Sequence, residues 1–175
     1  EISPLMLKEV GVRIVEIGHS ERRHIFHEDD WMVNKKVRAA LRHGFTPLLC
    51  IGEDESQKEH GISREVLRTQ LKIGLHDVPP QLAGRVWVAY EPVWAIGVNG
   101  KPATHEYANE MQTAIKEVLC ELYGPQVAEE VPVLYGGSVN PENATGLIGM
   151  PCIDGLFIGR SAWDADAFGK LIQEA

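Results

Sequence analysis

The chain has 175 residues, with 17 Lys and Arg against 25 Asp and Glu, a formal charge of −8 and a hydrophobic fraction of 44%. A chain of this length is expected to form one domain, and its plentiful apolar blocks exclude a disordered, collagen-like or coiled-coil chain. No apolar run approaches the roughly 20 residues of a membrane span, and the acidic balance repels a phosphate backbone. Neither a membrane nor nucleic acid is an expected partner, whereas a small anionic substrate held by local donors is compatible.

The opening Glu1-Ile2-Ser3-Pro4 has neither a basic region nor an apolar signal core, so no secretory signal is read there. The absence of an initiator Met, and a start within a loop-plus-helix pattern, lead us to expect that an N-terminal part is missing. Cys50, Cys120 and Cys152 are far apart and form no CxxC. That usage fits reduced thiols in the cytoplasm and gives no zinc or haem spacing, so no metal is expected.

In chain order, a possible helix precedes five short apolar runs, at residues 13–17, 46–51, 86–90, 131–135 and 156–158. The best are rich in Val, Ile and Leu, as strands buried on both faces should be. Between them lie amphipathic patterns. At 31–43, Val33, Val37, Ala40 and Leu41 share one helix face, with Asp30 as the expected cap and Gly44 as a left-handed end. A shorter helix is read at 63–73. From His105 to Tyr123 runs the longest stripe, capped by Thr104. Asn140-Pro141 reads as a cap with proline at the first helical position. Asp164 caps a last helix carrying Phe168, Leu171 and Ile172.

Strand–helix alternation implies right-handed crossovers and a parallel sheet. Two architectures remain open at this point, a doubly wound open sheet and part of a (β/α)₈ barrel. A whole barrel takes about 250 residues, so five units in this chain match the last five-eighths of one.

The chemically distinctive residues follow directly after the strands. Gly18-His19-Ser20 follows the first, Gly52-Glu53 the second, Glu91-Pro92 the third, Gly136-Gly137-Ser138 the fourth and Gly159 the last. In parallel α/β proteins these positions share the face where ligands bind. His19 stands before an apparent helix start, whose partial positive charge favours a neutral imidazole able to donate a hydrogen bond. Glu91 ends a buried strand, where a carboxylate is costly unless it faces the mouth with a job or is paired with a nearby Arg or Lys. The apolar, glycine-bearing loop after it reads as a lid that excludes water, or otherwise as a packed turn. The glycines around Ser138 and Gly159 offer backbone N–H groups suited to a phosphate.

The motifs Gly18-His19-Ser20-Glu21-Arg22-Arg23, Cys50-Ile51-Gly52-Glu53, Ala89-Tyr90-Glu91-Pro92-Val93-Trp94-Ala95-Ile96-Gly97 and Tyr135-Gly136-Gly137-Ser138-Val139 together resemble the triosephosphate isomerase family, in family order. The resemblance implies a (β/α)₈ barrel, of which residues 1–175 are one barrel domain lacking the N-terminal three βα units. It further implies a homodimer, no metal or organic cofactor and a small phosphorylated sugar substrate.

By the same resemblance Glu91 is the base, His19 the electrophile that polarises the carbonyl, and Glu21 a supporting catalytic residue. Gly97, Ser138 and Gly159 would hold the phosphate, with Arg160 beside them. Three departures from the common family pattern stand out. The family's Asn and Lys on its opening strand have no counterpart here. The lid Gly97-Val98-Asn99-Gly100-Lys101-Pro102-Ala103 is one residue longer, with Pro102 in its second hinge. Arg160 replaces the second glycine of a usual Gly-Gly. These variants resemble a bacterial branch acting on four-carbon ketose phosphates such as L-erythrulose 1-phosphate. A non-catalytic fragment or phosphate-sugar-binding relative is the competing class. A nucleotide binder is disfavoured, because no GxGxxG follows the first strand.

Overall fold

The computed structural model describes residues 2–96 and 100–174. Five strands, β1 (Ile14–Ile17), β2 (Thr46–Ile51), β3 (Trp87–Tyr90), β4 (Val133–Tyr135) and β5 (Gly155–Leu156), form one sheet in the order β1-β2-β3-β4-β5. Every neighbouring pair is parallel, with Glu16 opposite Leu48, Cys50 opposite Ala89 and Tyr90 opposite Tyr135. The strand order never reverses. A doubly wound sheet needs a reversal to place helices on both faces and create its ligand crevice, so this sheet follows the barrel pattern instead.

The chain before β1 holds α1 (Pro4–Glu9). Helices α2 (Ser20–Phe26) and α3 (Asp30–Arg42) lead from β1 to β2. Three more, α4 (Glu55–Glu59), α5 (Ser63–Gly74) and α6 (Pro80–Ala83), lead to β3. Helices α7 (His105–Tyr123) and α8 (Pro125–Glu130) precede β4, α9 (Pro141–Ile148) precedes β5 and α10 (Ala165–Glu174) follows it. Side chains alternate across each strand. Leu49 and Ile51 of β2 face the helices and join the main core with Val33, Val37, Leu67, Leu71, Ile115 and Leu119. Leu48 and Cys50 point to the opposite face, where they meet Ala89, Trp87, Leu134 and Phe157.

Most helix ends follow the expected chemistry. Thr104 Oγ1 accepts from the Tyr107 N–H, Asn140 forms a capping box with Asn143, and Asp164 accepts from the Ala167 N–H. The start of α3 differs by one residue from the expectation. Asp29, not Asp30, caps it by accepting from the Met32 N–H at 2.7 Å, because the Asp30 carboxylate is taken by Arg23 Nη1 at 2.5 Å. Gly44 adopts φ 83°, the left-handed end expected of it. The short α4, α6 and α8 were not read from the pattern, since so few residues carry no helical period.

Candidate active site

Glu91 leaves β3 at its carboxyl end and is buried. Its Oε1 lies 3.1 Å from His19 Nε2, and its Oε2 accepts from the Ser20 N–H at 3.3 Å. His19 is the N-cap of α2, and its Nδ1 accepts from the Glu21 N–H at 3.3 Å. The imidazole is therefore held from two sides: a backbone donor on Nδ1 leaves the proton on Nε2, which points to the carboxylate. The fold thus brings together two of the predicted residues from β1 and β3. Glu21 enters through its backbone, and its side chain is exposed.

The expectation of a depressed His19 pKa does not hold for this arrangement. The hydrogen bond with Glu91 raises it, burial opposes, and the nearby charges of Glu91, Glu16 and Glu21 raise it further. A carboxylate in contact outweighs the helix end, which acts through partial charges only.

Glu16 escaped the sequence reading because it sits inside an otherwise apolar run. It faces the same side of the sheet as Leu48, and its Oε1 lies 3.9 Å from His19 Nε2. Burial, opposed by His19 and reinforced by Glu91 and Glu21, raises the Glu16 pKa. Cys50, on the same face, is fully buried, and burial together with the Glu91 charge pushes its thiol well up. Such a thiol is a packing group, as its strand position suggested, and not a nucleophile.

The segment after Glu91 is anchored by a second buried carboxylate. Glu53, fully buried, accepts from Tyr90 Oη at 3.0 Å, Tyr107 Oη at 2.9 Å and Trp94 Nε1 at 2.8 Å. Burial, opposed by Ser63 and reinforced by Glu53, pushes the Tyr107 phenol up to about 12. Lys58 Nζ rests 3.3 Å from the Trp94 ring centre, so the indole lies between a cation on its face and an anion on its N–H. A cavity of about 190 Å³ opens beside Glu91, lined among others by Gly18, Ser20, Arg23, Gly52 and Gln70. Gly52 is required here, because a Cβ would overlap the Glu91 carbonyl.

The glycine loops lie at the same end of the sheet. Ser138 follows β4, and its carbonyl accepts from Asn143 Nδ2 at 2.9 Å. Gly159 is exposed and precedes a short 3₁₀ turn, Arg160–Ala162, in which Arg160 is exposed. Ser161 Oγ donates to the Val139 carbonyl at 2.6 Å, tying the two loops together. Gly97, with Val98 and Asn99 of the expected lid, lies outside the described residues. Among the described residues no cluster of three or more His, Cys, Asp or Glu is placed to hold a metal, and no helix is long and apolar enough to cross a membrane.

A buried carboxylate facing a histidine, with glycine loops nearby and all at the carboxyl ends of parallel strands, is an arrangement for moving a proton on a small anionic molecule. The profile of the triosephosphate isomerase family matches residues 1–175. The chain belongs to the triosephosphate isomerase family.

Its five-stranded sheet accordingly corresponds to the last βα units of that family's barrel. Over 170 residues the chain is 54% identical to the L-erythrulose-1-phosphate isomerase of Rhizobium etli, covering 96% of this chain and 62% of that protein. It is 49% identical over 172 residues to the triosephosphate isomerase of Caldanaerobacter subterraneus subsp. tengcongensis, covering 98% and 69%. With the triosephosphate isomerase of Fusobacterium nucleatum subsp. nucleatum it shares 47% identity over 173 residues, covering 99% and 68%. The chain thus spans about two thirds of the length of these family members, and less than two thirds of the Rhizobium etli protein.

Proposed function

We propose that this chain supplies the proton-transfer half of an aldose–ketose isomerase that interconverts dihydroxyacetone phosphate and glyceraldehyde 3-phosphate through an enediolate. The observation that carries this reading is the 3.1 Å approach of the buried Glu91 carboxylate to His19 Nε2. Glu91 takes a carbon-bound proton next to the substrate carbonyl and returns it to the neighbouring carbon. His19 donates the Nε2 proton to the carbonyl oxygen as charge develops there and takes back the proton of the neighbouring hydroxyl, whose oxygen becomes the new carbonyl. Once Glu91 turns to the substrate, the main cause that raises the His19 pKa is gone. Burial and the end of α2 then favour the neutral imidazole against the remaining pull of Glu16 and Glu21, and its acidity suits an enediol better than an imidazolium's does.

The phosphate is held by backbone N–H groups at Gly97, Ser138 and Gly159, with Arg160 as a charged neighbour. Glu21 supports the site by fixing the His19 ring through its N–H. Glu53 anchors the start of the lid through Trp94, and lid closure protects the enediolate from loss of phosphate. The functional unit we assign is a homodimer of cytoplasmic (β/α)₈ barrels without metal or organic cofactor, serving glycolysis and gluconeogenesis.

A four-carbon substrate, L-erythrulose 1-phosphate, is the second reading. It is favoured by Arg160 in place of a glycine, by the longer lid and by the 54% identity to a protein of that name. One extra CH₂-sized group in a fitted pocket typically discriminates by about 1–3 kcal/mol, or about 10–200-fold. The test is kcat/KM for dihydroxyacetone phosphate and L-erythrulose 1-phosphate on one preparation of the full-length protein. A tenfold preference for either substrate decides between the two readings. Turnover of neither returns the protein to the class of phosphate-sugar binders.

A further inference from the structure

Helix α7 is the longest in the chain, and its inward face is apolar at Ala108, Met111, Ile115, Val118 and Leu119. One residue on that face breaks the pattern. Gln112 is fully buried. With its amide oriented to match its neighbours, Nε2 donates to the carbonyls of Cys152 and Val133, each at 2.9 Å, and Oε1 accepts from the Tyr135 N–H at 3.1 Å. Both amide protons and one oxygen lone pair are used. A buried amide is costly unless satisfied in this way, and an apolar side chain would fill the same space without that demand.

Its neighbours on that side of α7 hold the same two segments. Asn109 Oδ1 accepts from the Cys152 N–H at 3.0 Å, and Thr113 Oγ1 lies 3.2 Å from Cys152 Sγ. Lys116 Nζ pairs with Asp154 at 2.7 Å, and the other Asp154 oxygen accepts from the Val133 N–H at 2.8 Å. Positions 109, 112, 113 and 116 fall at the spacing of one helix face. They form a polar clasp in which Gln112 alone reaches both β4 and the segment entering β5.

What the clasp holds is functionally placed. Tyr135 immediately precedes Gly136-Gly137-Ser138, and the segment from Cys152 runs through β5 to Gly159. Tyr135 and its neighbour pass the constraint on, since the Phe157 N–H donates to the Tyr135 carbonyl at 2.8 Å and the Gly136 N–H to the Tyr90 carbonyl at 2.7 Å. At its other end α7 starts at His105, capped by Thr104 directly after the lid.

We infer that Gln112 is a positioning residue that sets the two arms of the phosphate cradle, around Ser138 and Gly159, relative to each other and to the lid helix. This rests on the proposed reading that those arms bind a phosphate. It acts through backbone placement, so its loss weakens the grip on phosphate more than it slows proton transfer.

The test uses the full-length protein and three variants. Gln112→Leu leaves the Cys152 carbonyl without its donor and removes one bond each from the Val133 carbonyl, which keeps the Asp154 N–H, and from the Tyr135 N–H. Gln112→Glu, kept neutral by burial, retains the acceptor and one donor. Leu67→Ala on α5 loses a core side chain that is not part of the clasp. Affinity for inorganic phosphate by calorimetry, KM, kcat and Tm are measured for each. A misplacement of about 1 Å remote from the chemistry can cost up to about 10²-fold. The expected result for Gln112→Leu is about a tenfold loss of phosphate affinity and a similar rise in KM, with a smaller change in kcat, and Gln112→Glu falls between it and the wild type. Leu67→Ala, though less stable, keeps phosphate affinity within about twofold, because Leu67 makes none of the hydrogen bonds to β4 and the segment entering β5.

The inference is overturned if folded Gln112→Leu binds phosphate as the wild type does, or if Leu67→Ala at equal Tm loss weakens binding as much. Where Gln112→Leu does not fold, Gln112→Glu against Leu67→Ala decides in the same way. Wild-type protein that binds phosphate but turns over neither sugar phosphate contradicts the isomerase reading and leaves this comparison standing.

Discussion

His19 Nε2 lies 3.1 Å from Glu91 Oε1, a contact across the end of β2 between residues 72 positions apart in number, 91 − 19. Neither group is placed by its own strand alone. His19 is turned by its cap on α2, where the Glu21 N–H takes Nδ1, and Glu91 is steadied by the Ser20 N–H. The pair has a measurable consequence in the free protein. The Glu91 hydrogen bond is the largest cause of the raised His19 pKa, so His19 should titrate above the ordinary value of about 6.5 in NMR. A raised histidine pKa means that folding tightens proton binding. Its contribution to stability is complete below about pH 6.5 and is lost as pH rises through the folded-state pKa. In Glu91→Gln the midpoint should drop below that of the wild type, and the matching pH dependence of stability should fade. Identical midpoints in the two proteins would contradict the pairing.

Glu53 carries a second prediction. Its carboxylate satisfies three buried or half-buried donors at once, from Tyr90, Trp94 and Tyr107. Glu53→Ala strands those donors. A buried donor left unsatisfied costs about 1–3 kcal/mol, so with three donors stranded urea unfolding should show a loss of about 3 kcal/mol or more, with a changed Trp94 fluorescence. A loss under about 1 kcal/mol, the net worth of a single ordinary hydrogen bond, would show that the network does not anchor the lid.

A third concerns Gly52, where a Cβ would overlap the Glu91 carbonyl. The obstacle is backbone, which cannot rotate aside, so Gly52→Ala must shift the start of the lid and Glu91 with it. Overpacking of this kind costs about 1–3 kcal/mol, and the displaced carboxylate should cut kcat by about 10²-fold. Wild-type kcat in Gly52→Ala would mean that the Glu91 position is not set by this contact.

The strands and long helices were legible because apolar residues recur along most of each element, as in Thr46–Ile51 and His105–Tyr123. So was the cluster of distinctive residues at strand ends, which needs only the order of elements. Four things were hidden. Glu16 sits in an apolar run whose two faces have different surroundings, and only the sheet register tells that it shares a face with Leu48 and approaches His19. Gln112 looks like one more polar residue on an amphipathic helix until its burial is known. The charge balance of His19 depends on the distance to Glu91, and a helix end alone pointed the wrong way. The α3 cap slipped by one residue because two adjacent aspartates compete, and Arg23 decides between them.

The proposed role of Glu91 as the base is tested most directly by kcat of the full-length protein against Glu91→Gln, with the better of the two sugar phosphates as substrate. Glutamine keeps the shape and the hydrogen-bonding oxygen but cannot take a proton from carbon. The expected result is a fall in kcat of about 10²–10⁴-fold or more, the usual contribution of a positioned general base, with the fold retained. A Glu91→Gln variant that turns over within a few-fold of the wild type would contradict it.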